Sequence, residues 1–132
     1  MIYLLDTNIC IYAIKGKYPQ ITDRINSCFP NDIKISAITI SELAYGCSKS
    51  KFPEQNNAAM REFLSPFEVI NFDIYDAAVY GNIRADLEAK GQIIGPYDMQ
   101  LAAQAISRDY ILITNNVKEF ERIDALKIDN WL

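Results

Sequence analysis

The chain has 132 residues, 50% of them hydrophobic, and a formal net charge of −4, a length that suits one domain spanning 1–132 and burying about two-thirds of its unfolded surface. It contains no histidine, which excludes histidine-ligated zinc, Ser/His/Asp triads and imidazole acid–base catalysis and leaves carboxylates or lysines to do any chemistry. The acidic balance argues against a protein that holds polyanions by electrostatics alone, although metal-binding carboxylates would supply much of that excess and a bound divalent cation would reverse its local sign.

Ile2 to Leu5 form a short apolar run rich in strand formers, which reads as a strand buried on both faces. It ends on Asp6, and Thr7 and Asn8 are further helix-capping residue types; Ile9, Cys10, Tyr12, Ala13 and Ile14 continue at helical spacing. Gly16 to Pro19 break this helix, and Ile21, Ile25 and Cys28 predict a second one ending before Pro30. Ile33 to Ile38 reads as strand, followed by a helix opened by Thr39 to Glu42, in which Glu42 completes a capping box with Thr39. Phe52 and Pro53 interrupt the chain; helical spacing returns over Ala58 to Phe67, and Phe67 to Phe72 is strand-like.

Asp73 caps a long helix from Ile74 to about Lys90, with Val79, Ile83 and Leu87 on its inner stripe and Gly91 as its stop. Gly95 to Asp98 start another helix, which buries Leu101, Ala102, Ala105 and Ile106; Asp98 falls on that same inward stripe. Tyr110 to Thr114 is a fourth buried strand, Asn115 to Arg122 a loop or helical turn, and Leu126 to Ile128 an edge strand. Strands alternating with helices predict an α/β fold with a central parallel sheet of four to five strands, covered on both faces. Cys10, Cys28 and Cys47 form no CxxC pair and read as small core residues in a reducing compartment. With no charged leader and no apolar stretch near the ~18 residues that cross a bilayer, the expectation is a soluble cytoplasmic protein with no membrane partner.

Asp6, Glu42, Asp98 and Glu119 each have a plain structural role open to them: helix cap, capping box, dipole partner and solvated turn. Yet three of these positions lie just beyond the carboxyl end of a strand or at the N-terminus of a helix, and in a parallel sheet those places share one edge, so the four carboxylates can converge. Converging carboxylates repel one another, and a cluster persists when a cation neutralises it. All-oxygen ligands favour Mg²⁺ or Mn²⁺, and such a site activates water for in-line displacement at a phosphodiester.

Four segments, LLDTNICIY (4–12), ISAITISELAYG (35–46), IGPYDMQLAAQA (94–105) and ITNNVKEFERI (113–123), resemble the PIN-domain toxins of the VapC type from bacterial toxin–antitoxin pairs. The resemblance implies a PIN-like three-layer α/β/α sandwich, a Mg²⁺- or Mn²⁺-dependent endoribonuclease, a homodimer, and inhibition by a small VapB-like antitoxin that also binds operator DNA. Asp6, Glu42 and Asp98 match the family's three core acids. The fourth position departs from the pattern: where many relatives place aspartate, Asn115 and Asn116 are amides, and the fourth site residue is either Glu119 or Asn116, with Asn116 accepting a metal-bound water or orienting Glu119. Thr7 and Asn8 are expected to hold the Asp6 turn. Close relatives of the pattern cut tRNA anticodon loops, which makes structured tRNA the expected RNA substrate.

Lys15, Lys17, Lys49, Lys51 and Arg84 are candidates for holding RNA phosphates, and Tyr12, Tyr45 and Tyr97 for stacking on bases, while Phe63, Phe67 and Phe72 read as core. Two other readings stay open from the residues alone. One is an aspartyl-phosphate signalling domain, which also places aspartate after its first strand but with a DxD spacing that this chain lacks. The other is a catalytically inactive RNA-binding or interaction module, suggested by the amides Asn115 and Asn116.

Overall fold

A computed structural model describes residues 1–132. Its strands, β1 (Tyr3–Leu5), β2 (Ile33–Ser36), β3 (Glu68–Ile70), β4 (Ile111–Ile113) and β5 (Ile128–Asp129), form one sheet in the order β3-β2-β1-β4-β5. Every neighbouring pair is parallel. β1, the apolar run that ends at Asp6, thus lies in the middle, as a strand buried on both faces must.

Side chains alternate across the sheet with the two-residue strand period. Leu5, Ile33, Ile35 and Ile113 face one core, where α1 (Thr7–Lys15), α2 (Pro19–Ser27), α3 (Ala37–Ser48) and α4 (Pro53–Leu64) contribute Ile9, Ile21, Leu43 and Met60. Leu4, Ile70 and Leu112 face the opposite core, against α5 (Ile74–Ala89), α6 (Pro96–Arg108) and the short α7 (Val117–Phe120). The result is a three-layer α/β/α sandwich.

Several helix ends are set by local chemistry. Asp73 and Asp76 close a reciprocal capping box on α5, and Gly91 adopts the left-handed φ of 65° that ends its C-terminal turn. The helix after β2 starts earlier than expected. Ser36 caps α3 by accepting from the Ile38 amide at 3.0 Å, so Thr39 lies inside the helix and no capping box joins it to Glu42. α4 likewise begins at Pro53 rather than near Ala58, because proline suits the first helical position, where no amide hydrogen is needed. β5 falls slightly later than expected, since Leu112 and Ile113 of β4 pair with Ile128 and Asp129. Cys10 and Cys47 are buried, Cys28 is half-buried, and all three are free thiols. No helix is long and apolar enough to cross a membrane.

Candidate active site

The direction of strand addition reverses at β1: the chain moves outward through β2 and β3, then returns to place β4 on the other side of β1. In open parallel sheets the crevice beyond the strand ends at such a reversal is where ligands bind. Asp6 stands there. Its backbone amide donates to the Ile113 carbonyl at 3.0 Å, extending the β1–β4 pairing to the acid itself. Its carboxylate Oδ1 accepts from the Ile9 amide at 2.9 Å and caps α1.

Burial pushes the Asp6 carboxyl up to about 6, against hydrogen bonds from Thr114 and Ile9 that pull it down, and the negative charges of Asp98 and Glu42 push it further up. Asp98, third residue of α6, is half-buried. Its carboxyl is raised by burial first and then by the charges of Glu42 and Glu119. The four acids picked from the sequence are therefore gathered into one electrostatic neighbourhood, with Asp98 linking its two ends. As they stand, no three of them are disposed around a single point ready to hold a metal ion.

Thr7 does something the sequence did not indicate. Rather than holding the Asp6 turn, its hydroxyl donates to Glu42 Oε1 at 2.6 Å and lies 3.3 Å from the Thr39 hydroxyl. Asn116 donates through Nδ2 to Glu119 Oε2 at 3.1 Å, while its backbone amide is held by the Thr114 hydroxyl at 3.0 Å. The amide thus orients the acid, one of the two roles open to it. Thr114, which hydrogen-bonds Asp6, was not singled out from the sequence. The signal was available: it is the polar residue ending the apolar run of β4, as Asp6 ends that of β1.

Of the basic candidates, Arg84 is engaged elsewhere, donating to Glu88 at 2.9 Å and to Tyr80 at 3.0 Å on its own helix. Lys15 and Lys49 instead flank a groove of about 330 Å³ that has Glu42 in its wall. Tyr45 and Tyr97 are exposed, and Tyr12 is half-buried against Tyr18. Phe63 and Phe67 pack edge-to-face at the margin of the core, and Phe72 is half-buried outside both clusters.

The family described as the PIN domain matches residues 3–126. The chain belongs to that family. Among PIN relatives, ribonuclease VapC2 of Rickettsia felis is 46% identical over 132 residues, covering 99% of this chain and 98% of the relative. The tRNA(fMet)-specific endonuclease VapC of Salmonella typhimurium is 44% identical over 129 residues, covering 98% and 97%. In three dimensions the PIN fold of this chain superposes on the crystal structure of VapBC2 from Rickettsia felis bound to a DNA fragment from their promoter, with a TM-score of 0.95, 44% identity and full coverage of both chains.

Proposed function

We propose that this single PIN domain, residues 1–132, is a metal-dependent endoribonuclease toxin of the VapC type that hydrolyses phosphodiesters of structured tRNA and is neutralised by a cognate VapB-like antitoxin. The observation that carries the reading is the placement of Asp6 at the sheet's reversal point, near Asp98 and Glu42, with Asp98 in turn near Glu42 and Glu119. Acids gathered at one edge cost stability unless a cation joins them, and an all-oxygen donor set suits Mg²⁺ or Mn²⁺. Asp6, Glu42 and Asp98 would hold the cation directly, with Glu119, steered by Asn116, completing the set. When bound, the ion supplies an activated water and neutralises charge on the phosphate. The chain's own contribution is placement. Thr7 fixes Glu42, the Ile9 amide and Thr114 fix Asp6, and Asn116 fixes Glu119.

The relatives' names support tRNA as substrate, and the VapBC complexes support an antitoxin through which operator DNA is bound. An antitoxin arginine entering the acidic edge would stand in for the cation. Exposed Ile74 and Tyr75 at the start of α5 supply apolar surface for a homodimer, and the three free thiols fit the cytoplasm. The test incubates purified protein with tRNA in Mn²⁺, in chelator, and as Asp98→Asn. Cleavage by the wild type in Mn²⁺ alone is the expected result; cleavage that persists in chelator or in Asp98→Asn overturns the assignment.

A further inference from the structure

The groove between α1, α3 and α4 has features that the cleavage chemistry does not use. Its floor is apolar, made by Ile11, Ile14, Leu43 and Met60, and its rim carries Lys15 and Lys49, with Glu42 in the wall. Glu42 is thus common to the groove and to the group of acids.

Lys15, Lys17, Lys49 and Lys51 take part in no ion pair, whereas Lys34, Lys90 and Lys127 each hold a carboxylate. In a chain of net charge −4, unpaired cations gathered at the ends of α1 and α3 leave this surface complementary to an anion. Aromatic rings sit among them. Lys49 Nζ lies 4.7 Å from the ring centre of Tyr45, which is 65% exposed, and Lys17 Nζ lies 5.7 Å and 5.4 Å from the rings of Tyr12 and Tyr18. Lysines beside an exposed tyrosine, with two half-buried rings next to them, suit single-stranded RNA, whose phosphates need cations and whose unstacked bases need flat apolar partners.

Gly46 is a second, independent feature. It lies in the last turn of α3 and lines the groove, and a Cβ built there would meet nothing within 4 Å. Glycine weakens a helix interior, and no packing inside the fold demands it. Its effect is to leave the groove wall open to a flat group lying against the helix.

We propose that this groove is a nucleotide subsite: an unstacked RNA base lies on its apolar floor beside Gly46 while Lys15 and Lys49 hold the flanking phosphates and lead the strand to Glu42. This deepens the nuclease reading and rests on it. The test compares wild type with Gly46→Leu and with the double variant Lys15→Ala/Lys49→Ala. Steady-state cleavage of a tRNA transcript is measured in Mn²⁺, and anisotropy of the same RNA is measured in chelator, where nothing is cut.

Each variant should raise KM and the chelator Kd about tenfold with kcat within about twofold, and the lysine pair should flatten the dependence of log Kd on log salt by about 1.4. Gly46→Leu should melt no lower than wild type, since leucine favours helix. Unchanged KM and Kd in both variants overturn the subsite. So does a loss confined to binding of a protein inhibitor with RNA affinity intact, which would make the groove a protein site. Wild-type protein whose RNA binding depends on the groove but which never cuts would remove the nuclease and keep the subsite.

Discussion

Thr7 Oγ1 donates to Glu42 Oε1 at 2.6 Å, so the first residue of α1 holds an acid in the second turn of α3. The bond joins the β1 and β2 crossovers at the point where Asp6 and Glu42 come close enough for their charges to interact. Removing the hydroxyl while keeping the shape, as in Thr7→Val, should cost about 1–2 kcal/mol of activation, roughly 5- to 30-fold in kcat, with the far-ultraviolet circular dichroism unchanged. Thr7→Ser keeps the donor and should retain most activity. Equal kcat in wild type and Thr7→Val would show that Glu42 needs no such support.

The acids should behave as one unit. Asp6→Asn, Glu42→Gln and Asp98→Asn are each expected to abolish cleavage without unfolding the chain, because the remaining carboxylates cannot hold the cation in working geometry. Glu119→Gln should cost less. Thermal melts separate this from a fold effect: in chelator Asp6→Asn should melt above wild type, since it removes a buried charge facing Asp98 and Glu42, and asparagine caps helices as well as aspartate. Mn²⁺ should raise the wild-type midpoint and leave that of the variant where it was.

Away from the site, Asp76 is fully buried where α5 meets α6. Burial alone would raise its carboxyl, but hydrogen bonds from the Ser107 hydroxyl, the Asp73 amide and Arg108 outweigh it and hold the group below its ordinary 3.8. A carboxyl depressed in the folded state stabilises above the unfolded value and loses that contribution as pH falls through the folded one. Wild-type stability from this group should therefore be complete above about pH 4 and decline only in stronger acid. Arg108→Met, which strands the buried charge, should cost about 2–4 kcal/mol at pH 7 by denaturant titration and flatten the acid limb. An unaltered acid limb would mean that other carboxyls govern it.

The ends left on the RNA follow from the missing histidine. Attack by the neighbouring 2′-hydroxyl needs a base and an acid titrating near neutrality, and no histidine is present to serve. Hydrolysis by water at a carboxylate-held cation spares the 2′-hydroxyl. Products should carry 5′-phosphate and 3′-hydroxyl, ligating without phosphatase treatment, and 2′-O-methylation at the cut should be tolerated where it fits. A 2′,3′-cyclic phosphate on the fragments would point to a different mechanism.

The sequence by itself determined whatever depends on near neighbours. The apolar run ending at Asp6, the cap at Asp73, the stop at Gly91 and the inward stripe carrying Asp98 all appear where periodicity and capping chemistry put them, because hydrogen bonds along a helix and alternation along a strand act over a few residues. Even there, the choice between Ser36 and Thr39 as the cap of α3 depended on where β2 stops, and its pairing with β3 as far as Ser36 decided that.

What only the tertiary structure decided is which distant residues meet. Thr7 reaches Glu42, Thr114 lies beside Asp6, and Asp76 is clamped by Arg108. Lys15 comes to flank a groove with Lys49. Each of these follows from the strand order β3-β2-β1-β4-β5 and the helix layers stacked on it. The reason is physical: burial of the two apolar sheet faces selects that order, and polar side chains then find their partners across a crevice whose two sides lie about a hundred residues apart in the chain.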